Sequence, residues 1–319
     1  MSDFDLPFRP IRGDLYTAAE LFAGFDPADP ASFARTTDFA VYRWFVTSGG
    51  ASSDQGFGTM MQALHDNAVT QALRKFLTGR RCVAVMGGHK LRRDHPQYAQ
   101  VVRLSRHMVR FGLCPASGGG PGAMEATHLG ARLAQADDQA LAHALATLAV
   151  APAIPAGLKH LVNTAGRTDD LAVAEAHAWF APAHALATSL PAGGPSLAVP
   201  TWHYGHEPSS PLAGGIAKYF QNSIREDGLL AIATEGVVFT PGKAGTVQEV
   251  FQDACQNYYR SFGRFSPMVF LGRAFWTDQM PVRAVLAALL DPADFRDLVL
   301  FTDDVAEAAA FLAPRRTTA

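Results

Sequence analysis

The residues with the clearest chemical capacity lie in one run, Thr240-Pro241-Gly242-Lys243-Ala244-Gly245-Thr246-Val247-Gln248-Glu249. Gly236-Val237-Val238-Phe239 precedes it, and its apolar, β-branched character predicts a short buried strand. Val247, Val250, Phe251, Ala254 and Tyr258 follow at helical spacing. The run is therefore expected to turn a strand into a helix. Free amides and aligned peptide dipoles at a helix N-terminus favour an anion such as phosphate. Thr246 offers either a helix cap or a hydroxyl for that anion. Thr246, Glu249 and Asp253 share the face opposite the apolar stripe, so a carboxylate sits about one turn from the expected anion site. Glutamate early in a helix can be plain dipole complementation. Beside a bound phosphate it is a cost, and some other part of a ligand should then need it.

A second run has the same form. Leu113-Cys114-Pro115-Ala116 reads as a strand, and Ser117-Gly118-Gly119-Gly120-Pro121-Gly122-Ala123-Met124-Glu125-Ala126 follows it. Three consecutive glycines let a backbone approach a ligand without Cβ obstruction. Pro121 suits the first turn of a helix. Either turn alone could be a tight connection, but two of them point to a nucleotide or sugar-phosphate site. Upstream, Cys82-Val83-Ala84-Val85-Met86 reads as a buried strand that ends in Gly87-Gly88-His89-Lys90, as the first crossover of a nucleotide-binding sheet often does. Lys90 has two readings: a Schiff-base lysine for pyridoxal phosphate, or a loop lysine, free or near a phosphate. The second is the plainer.

The elements that must position these runs follow from periodicity. Residues 1–54 are rich in Pro, Asp, Phe and Gly; their aromatics (Phe4, Phe8, Tyr16, Phe22, Phe25, Phe33) predict an extension packed on the domain or on a partner subunit. Helical spacing runs over 58–77 and 98–111, and Gly79 suits the end of the first helix. Residues 135–195 are Ala-rich and read as a helical insertion, broken at Pro152, Pro155 and 163–170. A strand at 196–200 leads into Thr201-Trp202-His203-Tyr204-Gly205-His206-Glu207, where Trp202, His203 and Tyr204 could stack on a base. His203 and His206 lack a supporting carboxylate-histidine spacing, so no metal is expected. Residues 215–227 read as an amphipathic helix, with Ile216, Tyr219, Phe220 and Ile224 inward and Lys218, Gln221, Asn222 and Arg225 outward. Further strands at 268–271 and 298–301 precede helices at 278–290 and 305–312. This alternation predicts an α/β fold, a Rossmann-like, doubly wound and mainly parallel sheet over 81–319, with residues 1–80 as extension and lead-in helix. Ligands on such sheets bind at the carboxyl ends of the strands, where both glycine turns lie.

Composition narrows the partners. The 319 residues carry a net charge of −2, with 48% hydrophobic and 18% charged positions. That gives no basic footprint for nucleic acid. No stretch is long and apolar enough for a membrane span, and no leader pattern opens the chain. Cys82, Cys114 and Cys255 are scattered as reduced thiols would be, which suggests a cytoplasmic protein.

Taken together, the two turns resemble the LOG family of Rossmann-type nucleoside 5′-monophosphate phosphoribohydrolases, formerly labelled lysine decarboxylases. That family carries a Gly-Gly-Gly turn ending in Met, in a longer or a Pro-Gly form, and later Pro-Gly-Gly-x-Gly-Thr-x-x-Glu. Here the first is Gly118-Gly119-Gly120-Pro121-Gly122-Ala123-Met124, and the second is Pro241-Gly242-Lys243-Ala244-Gly245-Thr246-Val247-Gln248-Glu249. The likeness covers about 81–310; compact members lack the extension and the insertion. It implies hydrolysis of the N-glycosidic bond of a purine, AMP-like 5′-monophosphate. Glu249 and Arg225, the latter on the preceding helix in Ser223-Ile224-Arg225-Glu226, would be catalytic. The glycines of both turns, Met124 and Thr246 would hold phosphate and ribose. Lys243 stands where the family has Gly, so its ammonium could add a phosphate contact. The resemblance implies no cofactor and a homodimer. The competing expectation is a non-catalytic nucleotide or molybdenum-cofactor carrier on the same fold.

Overall fold

A computed structural model describes residues 6–52, 56–203, 205, 207–263 and 265–313. Seven parallel strands form its sheet: β1 (Cys82–Met86), β2 (Cys114–Ser117), β3 (Leu197–Ala198), β4 (Gly215–Ile216), β5 (Val237–Phe239), β6 (Met268–Leu271) and β7 (Val299–Thr302). Their order is β4-β3-β2-β1-β5-β6-β7. The chain winds outward from β1 through β2 to β4, then returns to the other side of β1 with β5. The topological switch lies between β1 and β5, where the register pairs Met86 with Phe239. The strands read as unbroken apolar runs because both faces of the sheet are covered. No helix among the described residues is long and apolar enough to cross a membrane.

Twelve α-helices are described. α1 (Ala18–Leu21), α2 (Thr37–Thr47) and α3 (Gly56–Leu77) precede the sheet. α4 (Pro96–Arg110) and α5 (Ala123–Arg132) flank β2; α6 (Asp138–Ala149) and α7 (Asp170–Ser189) form the insertion. α8 (Asn222–Ala231), α9 (Ala244–Tyr258), α10 (Val282–Leu289), α11 (Pro292–Leu298) and α12 (Val305–Leu312) complete the second half. Asp137, Asp169 and Asp304 accept first-turn amides and so cap α6, α7 and α12. α5 and α9, which follow the two glycine turns, have no such side-chain cap.

The segment before β1 packs within its own chain. Tyr16 forms an antiparallel bridge with Ile216, covering the β4 edge that an unpaired strand would leave open. Phe22, Phe33 and Phe39 are buried, and Phe22 and Phe33 meet Phe180 of α7. The extension and the insertion thus close on each other. These rings pack on their own chain, the first of the two arrangements expected for the extension. Phe4 lies outside the described residues.

Three predicted elements differ. The helix expected over 215–227 starts only at Asn222. Gly215 and Ile216 are β4, and Asp66 accepts the amides of Phe220 and Gln221 at 3.0 and 2.8 Å, holding the chain extended until then. Sheet pairing and a carboxylate from α3 overrode a helical apolar spacing. The helix expected over 278–290 is split into a π-helical turn, Phe275–Gln279, and α10, with Pro281 between them. Along α9, Tyr258, expected inward with the apolar stripe, is exposed, while Thr246 and Asp253 on the opposite face are buried. Cys82 and Cys114 lie buried in register on β1 and β2, whereas Cys255 is exposed.

Close approach of α4 and α5 depends on Gly130, where a methyl group would overlap the Val102 carbonyl oxygen and crowd Ser105. Gly130→Ala is therefore expected to cost about 1–3 kcal/mol through overpacking. Gly228, inside α8, has open space around it, and Gly228→Ala should gain about 0.5–1 kcal/mol from helix propensity. Urea titrations of both variants check the pair, and equal effects would refute the packing argument.

Candidate active site

The carboxyl ends of β1, β2 and β5 enclose a cavity of about 850 Å³, within the range of small-molecule sites. Three loops build it, and they are tied together. Thr240 donates its amide to the Met86 carbonyl at 2.8 Å, fixing the second glycine turn to the end of β1. The Ala123 amide reaches the Gly88 carbonyl at 3.3 Å, fixing the first turn to the same loop. Gly122 has φ +70°, and a methyl there would run into the Gly88 and His89 carbonyls.

From the second turn, Gly242, Lys243, Gly245 and Thr246 all line the cavity, and Lys243 is the N-cap position of α9. Thr246 is buried, with its side chain packed under Gly242, so it supports the turn rather than capping the helix. With no capping side chain, the first amides of α9 are left to water or to a ligand. Lys90, His89 and Leu91 from the β1 loop and Phe275 from the π-helical turn complete this wall.

The opposite wall comes from the first turn. Gly118 and Met124 line the cavity, with the Arg225 guanidinium packed against Gly118. The Arg225 Nε donates to the Val199 carbonyl at 3.2 Å, which orients the side chain from α8 across the end of β3. Gly119, Gly120 and Gly122 were expected to meet phosphate but do not line the cavity. Gly119 (φ +75°) accommodates Ala198 and Pro200, so these glycines admit neighbouring protein atoms.

Glu249 brings the two walls together. Burial pushes its carboxyl up to about 7; Arg225 opposes that shift and Glu226 adds to it. All three side chains line the cavity, and Arg225 and Glu226 form an ion pair at 4.0 Å. A carboxyl titrating near neutrality beside a fixed guanidinium is suited to acid-base chemistry or to stabilising developing positive charge. One turn further along α9, Asp253 is buried, its Oδ2 has no hydrogen-bond partner, and burial holds it well above the usual carboxylate range.

The base-stacking assignment needs correction. Trp202 is only 1% exposed; its indole packs on Phe220 and its Nε1 donates to Asp38 at 2.9 Å, so it is closed to a ligand. The aromatic ring was drawn inward by the core that the N-terminal segment supplies. His203 is exposed and outside the cavity lining, and Tyr204 and His206 lie outside the described residues. Sequence reasoning missed the roles of Glu207 and Glu226, which both line the cavity. Glu226 had a signal, since it adjoins Arg225, and Glu207 closes the loop that was read as a base contact through its aromatics. Among the described residues, no group of three His, Cys, Asp or Glu side chains could hold a metal ion. Neither protein-family models nor curated protein sequences give a match to this chain.

Proposed function

We propose that this chain hydrolyses the N-glycosidic bond of a nucleoside 5′-monophosphate, in the manner of the LOG family, giving free base and ribose 5-phosphate. The observation that carries the reading is the meeting of Glu249 and Arg225 in a cavity whose other end is an uncapped, glycine-rich helix start. The 5′-phosphate sits on the first amides of α9, between Lys243 and Lys90. The ribose then lies toward Glu249. Cleavage passes through an oxocarbenium-like state: the C1′–N bond breaks, and its electron pair leaves with the base, which takes up a proton. Water adds to C1′ and gives up a proton. The ionised Glu249 stabilises the positive ribose and orients that water. The Arg225 charge favours the ionised form of Glu249 against the burial that raises its carboxyl. Assembly as a homodimer and a cytoplasmic location belong to the same proposal.

Chromatographic detection of free base after incubation with AMP, GMP, IMP, CMP and UMP tests it. Base release is expected, and Arg225→Ala should lower kcat/KM on the order of a hundredfold or more. Tight binding of a monophosphate with no base released would replace the hydrolase with a nucleotide carrier.

A further inference from the structure

The cavity is not uniform in charge, and that polarity bears on which nucleotide it takes. Its α9 end is cationic, with Lys243 and Lys90 in the lining. At the triple-glycine end stands a carboxylate instead. The Glu207 Oε2 lies 3.1 Å from where a Cβ on Gly120 would project, and the Met124 Cε lies 3.0 Å from the same point. Glu207 also lines the cavity, and among the described residues neither of its carboxylate oxygens has a hydrogen-bond partner.

The sequence motif alone assigns phosphate to both glycine turns. A phosphate at Gly120 would meet the Glu207 carboxylate at close range, and two anions there repel. The phosphate is thereby confined to the α9 end. With the glycosidic carbon at Glu249 and Arg225, the part of the ligand left to reach Gly118, Met124 and Glu207 is the base. Arg225 packs on Gly118, so the reacting centre adjoins that end.

On the nucleotide reading above, we propose that Glu207 recognises the base, selecting nucleotides whose base presents an N–H donor to it. An ionised carboxylate only accepts hydrogen bonds. The 6-amino group of adenine, the N1–H and 2-amino group of guanine, or the 4-amino group of cytosine satisfies it. A base without such a donor would cover the carboxylate and leave it unpaired, which is where polar sites discriminate most strongly. Lys218, fully buried and bound to Asp38, has Glu207 as a weaker charge favouring its ammonium form.

The probe pair is AMP and purine riboside 5′-monophosphate, which differ only by the exocyclic amino group. Calorimetric Kd and base release are measured for wild type, Glu207→Gln and Glu207→Ala. Wild type should prefer AMP on the order of tenfold or more. The ratio should shrink in Glu207→Gln and approach one in Glu207→Ala. An unchanged ratio in Glu207→Ala, with AMP still hydrolysed, overturns the assignment and leaves the hydrolase standing. A preference seen in binding and lost in Glu207→Ala, with no base released by wild type, supports Glu207 and rejects the hydrolase. Failure of both nucleotides to bind overturns both.

Discussion

Glu249→Gln is expected to abolish most base release and, at the same time, to stabilise the protein above neutral pH. The two effects have one cause. Burial raises the Glu249 pKa from 4.5 to about 7, against the pull of Arg225. A group whose folded pKa is raised contributes stability that is fully present below its unfolded pKa. That contribution is lost as pH rises through the folded value, because the native state holds more protons across the window. Wild type therefore pays a growing penalty between about pH 4.5 and 7 to keep Glu249 ionised. Gln fills the same space without the charge. Its melting temperature should match wild type below about pH 4.5 and exceed it at pH 8. Asp253 adds a pH-dependent loss of its own, since burial raises its carboxyl too, so the difference between the two proteins is the relevant quantity.

Activity should move the opposite way. If the carboxylate is the working form, wild-type kcat/KM rises about tenfold per pH unit below 7 and levels off above it. Glu249→Gln should lose on the order of a thousandfold at pH 8, within the range found when a charge-stabilising group is removed. A stability gain paired with loss of activity is how a strained functional residue differs from a structural one. A variant that keeps its activity, or melts lower than wild type at pH 8, sinks the assignment.

The largest loss of stability is expected from Asp38→Ala. Asp38 and Lys218 are both 0% exposed, with the Lys218 Nζ at 2.7 and 3.0 Å from the two carboxylate oxygens. The Trp202 Nε1 is a further donor to Asp38. Removing the carboxylate strands an ammonium that burial already pushes toward the neutral form, together with an unpaired indole N–H. Breaking one side of such a pair costs about 3–5 kcal/mol. Because a buried pair contributes less than its breakage costs, Asp38→Leu combined with Lys218→Met should recover most of the loss. Urea denaturation of the single and double variants checks both statements. A loss under about 1 kcal/mol for Asp38→Ala would mean that water or a shifted side chain replaces the carboxylate. The pair also joins α2 to the chain leaving β4, and Trp202 opens the loop that ends at Glu207, so Asp38→Ala should also blur the AMP preference.

What the sequence determined by itself was local. The strands at Cys82–Met86 and Val237–Phe239 were legible because parallel strands buried on both faces are short unbroken apolar runs. The two glycine turns were legible because a strand, then glycines, then helical spacing is a pattern of neighbours along the chain. Their order implied the doubly wound sheet and the cavity at its carboxyl edge. Glu249 and Arg225 came from a motif of fixed spacing and from a helix read correctly at that position, although its start was misplaced.

What the tertiary structure decided depended on partners far away in the chain. Lys218 and Trp202 read as a solvated lysine and a ligand-facing ring, yet both turn inward to Asp38, which is 180 and 164 positions away. The extended chain from β4 to Gln221 was set by Asp66 on α3, against its own helical spacing. Gly119 and Gly122 had the composition of ligand loops, but the backbones packed beside them required their missing side chains. Glu207 gained its role only when folding placed it over Gly120. Periodicity reports which face of an element is apolar, whereas burial of a charge depends on whether an opposite charge is brought to meet it, and that is settled only in three dimensions.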